Sequence, residues 1–534
     1  MAKILAAAIC SAFLLAPFTA TAHDDTASAY GGRLGRVSFP TSCDPAVQAD
    51  FEKAVAMLHS FWYNAAEELF QAILAKDPSC TVTAWGYAAI LMNNPLAGVG
   101  ASPANAKKAQ DAIAHARLHP PKTQRERDYV EAVAAYYDGW SDKPEKARQL
   151  ARSKAFDALA AKHPDDDEAR IFDALYIAGT QSQADQTYAA YMRAIAILEP
   201  MFAKYPGHPG VAHYLIHSYD APPLAAKGLV AARRYADIAP DAPHALHMPS
   251  HIFTRVGSWD ESVATNLRSA DAARKAGDWP EAYHASDYAV YGYLQIARDG
   301  EALKVMDEAL RHSYGDSPIP AGAYAQAAMP ARMALERNDW KAATRLDVVP
   351  SARLPFTEGI TRFARGIGSA RSGDVAMAEA EAAELAAIQK KLEEAKNTYW
   401  ATETEVQRIA VAAWIAHARG DAAEAERLMR AAADLEDRNE KHIVTPGRML
   451  PARELLGDML SEHKQYAAAL KEYEASQVRE PNRYRNYAGA AAAADAMGDR
   501  AKASEYYAKL LELTRGADAA RPELVRAKAF VAAR

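Results

Sequence analysis

The chain has 534 residues, and its 62 Lys and Arg against 68 Asp and Glu give a formal net charge of −6 at pH 7. The mild acidity is spread along the sequence, which excludes the basic block expected of a nucleic-acid-binding protein. A chain of this length exceeds what one compact core usually holds, so we expect several domains or an array of repeats.

Residues 1–22 carry the features of a secretory signal. A single positive charge at Lys3 precedes an apolar run, and Ala20-Thr21-Ala22 forms a small-residue cleavage site. Beyond it, no stretch approaches the run of about 18 apolar residues that predicts a membrane span. We therefore expect an exported bacterial protein, periplasmic or secreted, with no membrane span after removal of the signal.

The segment after the signal has no helical pattern. Residues 23–42 are polar, glycine-rich and aperiodic, which predicts a flexible segment. Cys43 follows directly, and Cys80 is the other cysteine beyond the signal. Two cysteines in an exported protein can pair, and in a protein of this size they can equally remain buried thiols, so the sequence leaves both states open.

From residue 44 onward the sequence is helical in composition and periodicity. Alanine, leucine, glutamate, lysine and arginine dominate, prolines fall at segment ends, and no sustained alternation indicates strands. The sequence therefore predicts an all-α protein. The helices predicted up to residue 312 are 44–59, 63–76, 81–92, 104–117, 124–138, 144–162, 166–179, 184–204, 209–219, 223–238, 243–256, 259–275, 279–298 and 301–312, with more pairs between 320 and 516.

The helical segments repeat along the chain. Near the C-terminus, Ala469 and Tyr473 recur thirty-four residues later as Ala503 and Tyr507. A two-helix unit of this period buries its apolar faces only by stacking on its neighbours. The repeat therefore predicts a solenoid.

Histidines concentrate in the middle of the chain, where the stretch from 208 to 287 holds seven of the sixteen. Six of them follow helical intervals, so those on one helix project from one face. Pro249 predicts either a kink or a new helical turn between the histidines on each side of it. The six are His213 and His217, then His244, His247 and His251, then His284, which lies three residues before Asp287.

The repeat pattern resembles the tetratricopeptide (TPR) repeat, and the His-rich units are similar to those of exported bacterial TPR proteins. The resemblance implies a right-handed α-solenoid of antiparallel helix pairs, whose first helices line a concave groove that binds a peptide or protein partner. It divides the chain into repeats at 43–207, His-rich repeats at 208–300 and C-terminal repeats at 301–534. The residues that match are Leu456, Gly457, Ala469, Tyr473 and Pro481, then Ala66, Phe70 and Pro78, then Phe156 and Pro164.

The histidine cluster has two interpretations. Imidazoles at i and i+4 suit metal chelation, and neighbouring first helices bring further ligands within reach. Alternatively, each histidine lines the groove and bonds to a nearby carbonyl or carboxylate. The candidate ligands for a first-row transition metal, Zn, Cu or Fe, are His213, His217, His244, His247, His251, His284 and Asp287.

Two functions remain open at this stage. In the first, the exported scaffold holds a protein or peptide partner in its groove, with Tyr214, Asp220 and Tyr288 as contact residues. In the second, the histidine cluster serves a metal-dependent enzyme or a metal-handling protein. Tyr214 stands where a zincin protease needs its glutamate, and the sequence holds no recognised catalytic motif, so it predicts no reaction.

Overall fold

The computed structural model describes residues 32–312 and 319–533. The predicted signal at 1–22 lies outside the described residues. From Arg33 onward the chain forms one compact unit. Within the described ranges it contains helices and no strand, and none of these helices is both long and apolar enough to cross a membrane.

The first half of the solenoid contains thirteen described α-helices joined by short turns, with 3-10 turns at Pro45–Val47, Trp140–Asp142 and Ala225–Gly228. The α-helices are α1 Gln48–His59, α2 Tyr63–Lys76, α3 Thr83–Leu91, α4 Pro103–Leu118, α5 Gln124–Tyr137, α6 Glu145–Lys162, α7 Asp167–Ala178, α8 Ala189–Lys204, α9 Pro209–Tyr219, α10 Leu229–Ile238, α11 Pro243–His247, α12 Pro249–Val256 and α13 Trp259–Lys275.

The second half continues the same alternation. Its described helices are α14 Trp279–Gln295, α15 Asp299–Leu310, α16 Pro320–Leu335, α17 Trp340–Ala343, α18 Pro355–Arg371, α19 Val375–Glu394, α20 Thr398–Ala418, α21 Ala422–Glu436, α22 Ala452–Glu462, α23 Tyr466–Arg479, α24 Tyr484–Ala496, α25 Arg500–Leu513 and α26 Pro522–Ala532.

Helices that are adjacent in sequence pack against each other along the whole array. The predicted all-α solenoid of antiparallel helix pairs is therefore confirmed. Helix α9, helices α11 and α12 together, and helix α14 are the first helices of successive units, and α10, α13 and α15 are their partners. The histidines thus lie on first helices, as the register predicted.

A Gly-Asp turn joins four pairs of successive helices. The glycine adopts a positive φ that side-chain-bearing residues disfavour, and the aspartate then accepts a hydrogen bond from the third amide of the next helix. This arrangement ends one helix and starts the next with three residues between them. It occurs at Gly277-Asp278, Gly373-Asp374, Gly420-Asp421 and Gly498-Asp499.

A connection from the C-terminal half crosses the side of the solenoid that the first helices line. Residues 440–447, between α21 and α22, are buried throughout. The hydroxyl of Tyr288 on α14 donates to the carbonyl of Thr445 at 3.0 Å, and Nη2 of Arg332 on α16 donates to the carbonyl of Gly447 at 2.8 Å. We call residues 440–447 the crossing segment. It covers the His-rich first helices with the protein's own chain.

The prediction of a flexible segment at 23–42 is wrong for its described part. Phe39 is fully buried, and its ring stacks on that of Trp85 with centroids 4.9 Å apart. The backbone amide of Arg36 donates to the carbonyl of Gly207 at 2.9 Å. An extended segment shows no periodicity in sequence, yet one large apolar side chain can anchor it to the core.

Cys43 and Cys80 form a disulfide that links the extended N-terminal segment to the start of α3. The bond closes a loop with a sequence separation of 37. The chain-entropy relation for a loop of this size gives about 4 kcal/mol of stabilisation, through the unfolded state.

Reduction of this disulfide should lower the free energy of unfolding by about 2–4 kcal/mol, because the reduced unfolded chain gains loop freedom. Urea unfolding of Cys43→Ser/Cys80→Ser against wild type measures the loss. The double change Ser141→Ala/Ser182→Ala, at surface positions, is the control. A loss below about 0.5 kcal/mol would mean that the segment is held by its other contacts.

Candidate metal centre

The cluster is built on α9, on α11 and α12 together, and on α14, and each of these helices has a proline in its first turn. Pro209, Pro243 and Pro249 each occupy the first turn of a helix, where the missing N–H has no acceptor to serve. Met248 keeps right-handed helical angles between α11 and α12. Pro249 therefore starts a new turn without redirecting the chain, and His247 and His251 keep their rings 5.0 Å apart.

All six predicted histidines come together and divide into two sets. Within each set, one ring nitrogen from each side chain lies within 4.8 Å of the others. The first set comprises His213, His217 and His244, and the second set comprises His247, His251 and His284.

The two sets are in direct contact. The rings of His217 and His251 have centroids 5.2 Å apart, and those of His244 and His247 are 5.6 Å apart. The six imidazoles form one continuous cluster.

Burial keeps four of the cluster's imidazoles neutral. Burial, followed by the neighbouring histidines, holds the pKa of His213, His217 and His247 well below its usual value. Burial likewise lowers the pKa of His284 to about 3. At neutral pH these four rings therefore carry lone pairs, which is the form that binds a metal.

In the first set, hydrogen-bond partners fix which nitrogen carries the proton. Nδ1 of His213 lies 2.6 Å from the carbonyl oxygen of His59, which only accepts, so Nδ1 is the donor. Nδ1 of His244 lies 3.1 Å from both carboxylate oxygens of Glu281, to which it donates. The Nε2 atoms of both rings then carry lone pairs, and both are buried without a hydrogen-bond partner. Both ring nitrogens of His217 are likewise buried without a hydrogen-bond partner.

The second set is fixed in the same way, beginning with Asn266 on α13. The amide nitrogen of Asn266 donates to the carbonyl of Ser262 at 2.6 Å, so its oxygen faces His247 and accepts from Nδ1 at 2.7 Å. Nδ1 of His251 donates to Asp220 at 2.9 Å. Both Nε2 atoms therefore carry lone pairs, and they lie 3.1 Å apart. Two lone pairs at this distance repel unless a proton or a cation lies beside both.

Asp220 is the anchor of the second set. Although burial acts to raise its pKa, Lys441 and Arg255 hold it well below the usual value, so the carboxylate is ionised. Nε of Arg255 lies 2.7 Å from one oxygen, and Nζ of Lys441 lies 3.1 Å from the other. Lys441 belongs to the crossing segment, so the C-terminal half of the chain helps to orient His251.

A cavity of about 180 Å³ opens onto the cluster. Four of the six histidines line it, two from each set: His217, His244, His251 and His284. The lining also includes the apolar side chains of Phe61 and of two residues of the crossing segment, Ile443 and Val444. The cluster is thus reachable from one side.

Asp287 does not belong to either set, which corrects its prediction as a ligand. Its Oδ1 lies 3.1 Å from Nε of Arg332, and both side chains are fully buried. The three-residue interval from His284 turns the carboxylate toward α16 rather than toward the cluster. Its charge is therefore engaged in an internal ion pair.

The predicted groove residues are also buried and do not line an open groove. Tyr214 and Tyr288 have no exposed surface, and Asp220 is 4% exposed. The hydroxyl of Tyr214 donates to Nδ1 of His59 at 2.8 Å, and Nε2 of His59 in turn bonds to Glu168. These side chains contact their own chain because the crossing segment and α1 occupy the space that a partner would need.

Several functional residues have no signal in the sequence. Asn266 lies on a second helix, and Glu281 is one of many glutamates at a helix start, so neither stands out. Lys441 lies in a connection without periodicity. A third buried group, made of His59, Glu168 and His208, uses both carboxylate oxygens for its two imidazoles and is internally satisfied.

Comparison with known proteins finds only distant solved structures. No protein-family model and no curated protein sequence matches the chain. Two solved structures are similar at 12% identity. The APC/C hetero-tetramer Cut9-Hcn1 matches over 89% of this chain and 95% of that chain with a TM-score of 0.30. Yeast Tom70 matches over 91% and 88% with a TM-score of 0.29. Scores this low say nothing about function.

Proposed function

We propose that the two histidine sets bind transition-metal ions and that the protein is a metalloprotein built on a helical-repeat scaffold. The observation that carries the proposal is the pair of Nε2 lone pairs of His247 and His251, 3.1 Å apart and held there by acceptors on the opposite nitrogens. Metal-bound histidines have this arrangement, in which the second nitrogen donates to a carboxylate, an amide or a carbonyl. A bound cation removes the repulsion between the lone pairs.

The donor set favours zinc or copper. Each set offers three imidazoles and no carboxylate. Magnesium, calcium and manganese prefer oxygen ligands, and non-haem iron sites typically combine two histidines with one carboxylate. Neutral imidazole suits zinc and copper, and both accept three such ligands.

Three protein ligands leave a coordination position for another group. Closed structural zinc sites use four protein ligands, whereas catalytic sites use three and keep a position for water or substrate. The cavity beside four of the histidines supplies room for such a group. The geometry therefore favours a reactive or exchanging metal over a purely structural one.

We further propose export for this protein. The sequence of residues 1–22 supports it, and so does the Cys43–Cys80 disulfide, since such bonds persist mainly in oxidising compartments. A role in binding a protein partner stays a prediction from the scaffold type. It needs a surface other than Tyr214, Asp220 and Tyr288, which are buried.

The metal proposal is tested on untagged protein, dialysed after loading with zinc or copper. We expect about two ions per chain by elemental analysis, because the cluster has two three-ligand sets. Removing the metal with a chelator should lower the melting temperature, since a ligand at a thousand times its Kd adds about 4 kcal/mol to stability.

A matched control separates the cluster from surface histidines. His217→Ala/His247→Ala should reduce the bound metal to less than one ion per chain and abolish the chelator effect. His115→Ala/His119→Ala removes an exposed pair that is four residues apart, as His213 and His217 are, with rings 4.8 Å apart. It should change neither the bound metal nor the chelator effect. Wild type that holds no metal and melts identically with and without chelator, zinc and copper would overturn the proposal.

A further inference from the structure

Resting on the proposed metal binding, we infer that the two histidine sets form a single two-metal centre that binds a small anionic oxygen donor, a carboxylate or phenolate of up to one ring, through the cavity lined by His217, His244, His251 and His284.

The first support is the contact between the sets. His217 and His251 belong to different sets and have ring centroids 5.2 Å apart, and His244 and His247 do so at 5.6 Å. Metal–nitrogen bonds are about 2.0–2.2 Å long, so ions held by touching imidazole sets are near neighbours. Two-metal sites that act together have ions about 3.5–4 Å apart and share a ligand.

The second support is the balance of charge. Two divalent ions held by six neutral imidazoles add four positive charges to a buried site. Glu281 and Asp278 are the carboxylates that line the cavity. Asp220 contributes no further compensation, because it pairs with Arg255 and Lys441, and Glu440 pairs with Arg255. The remaining positive charge is costly in a low-dielectric interior, and an anion bound to the metals offsets it.

The third support is the shape and lining of the cavity. Both sets contribute two histidines each to its wall, so one ligand can meet both ions. Its volume of about 180 Å³ is comparable to the engineered cavity of about 150 Å³ that accepts benzene. Phe61, Ile443 and Val444 give the cavity an apolar surface that suits a ring, and Asn64 and Asn93 add polar side chains to its lining.

The coupling of the ions is tested with Cu(II) as the probe metal. One equivalent should give a full electron paramagnetic resonance signal, and the second should reduce the spins counted per copper, because two ions that share a ligand couple magnetically. Two bound coppers with a full spin count each would overturn the two-metal centre while leaving the proposed function intact. No bound copper would overturn both.

Ligand binding is tested on the same copper-loaded protein with benzoate, and with benzyl alcohol as the neutral analogue. Benzoate should change the visible spectrum saturably, and benzyl alcohol should bind at least about tenfold more weakly, or about 1.4 kcal/mol. Equal binding, or no spectral change with benzoate, would overturn the anionic ligand class.

A cavity-filling variant separates entry through the cavity from binding elsewhere. Ile443→Trp should weaken benzoate at least about tenfold while keeping two coppers per chain. Val478→Trp, at a residue 78% exposed, is the control and should change neither. Val444→Phe provides a smaller filling change if Ile443→Trp unfolds the protein. Filled variants that keep two coppers and bind benzoate as wild type does would overturn the assignment of the cavity.

Discussion

Replacing Asp220 with alanine is expected to lower the free energy of unfolding by about 3–5 kcal/mol, because it leaves buried cations without their partner. Lys441 is 6% exposed and Arg255 is 7% exposed, and both make ion pairs with Asp220. The change also removes the acceptor that holds Nδ1 of His251. Loss of such a partner typically weakens metal binding 10- to 100-fold. The ion held by the second set, which contains His251, should therefore bind more weakly by about that factor.

The loss of stability in Asp220→Ala should depend on pH, because the change alters the pKa of Lys441. Burial lowers the pKa of Lys441 to about 8, and Asp220 opposes this shift. Without Asp220 the pKa falls further, so the folded variant releases its proton at a lower pH than wild type does. Stability rises with pH wherever the unfolded state binds more protons than the folded state. In the variant this pH range begins further below pH 8 than in wild type, because the folded Lys441 loses its proton earlier. The difference between variant and wild type should therefore shrink as the pH rises from 7 to 9.

Urea unfolding of the metal-free proteins at pH 7 and pH 9 measures the loss of stability. Titration with zinc or copper at pH 7 measures the loss of metal affinity. Asp237→Ala, at an exposed position on α10, is the matched control and should change stability by less than about 0.5 kcal/mol. An Asp220→Ala variant as stable as wild type, with unchanged affinity for the second ion, would show that the carboxylate neither supports the crossing segment nor orients His251.

Replacing Arg483 with methionine is also expected to lower the free energy of unfolding by about 3–5 kcal/mol, because it leaves buried carboxylates without their cation. Arg483 is fully buried, with Nε 2.6 Å from Glu454 and Nη2 2.8 Å from Glu336. Without the guanidinium, two buried carboxylates remain near each other. The three residues lie at or near the ends of different units, so the C-terminal units should also separate more readily from the middle ones.

Neutralising the two carboxylates should restore part of the stability lost in Arg483→Met. Adding Glu336→Gln and Glu454→Gln to Arg483→Met removes the stranded charges and should recover part of the loss. Arg500→Met removes an exposed arginine and serves as the control, with an expected change below about 0.5 kcal/mol. Denaturant unfolding followed by circular dichroism gives all four values. A cost for Arg483→Met no larger than that of Arg500→Met would mean that this ion network does not hold the units together.

The sequence by itself determined the helices and their turns. The interactions that start and stop a helix are local: a proline such as Pro209 fits the first turn, and a Gly-Asp pair ends one helix and caps the next. The 3.6-residue repeat also determined that His213 and His217 share a face. For these reasons the predicted helices lie close to those observed, and the histidines fall on first helices.

Only the tertiary structure decided how the histidines combine and what surrounds them. The division into two sets depends on how three helices pack, and packing depends on side chains far apart in sequence. The partners that fix the ring protons come from a second helix, at Asn266, and from a capping turn, at Glu281. Lys441 reaches Asp220 across 221 positions of sequence.

The same reason explains the predictions that were wrong. Asp287 has the helical spacing of a ligand, but a helix face is wide enough for neighbouring positions to meet different partners, and Asp287 meets Arg332. Tyr214 and Tyr288 lie on the side expected to be a groove, but the crossing segment and α1 bury them. Intervals along one helix follow from backbone geometry, whereas contacts between helices are decided by the packing of the whole chain.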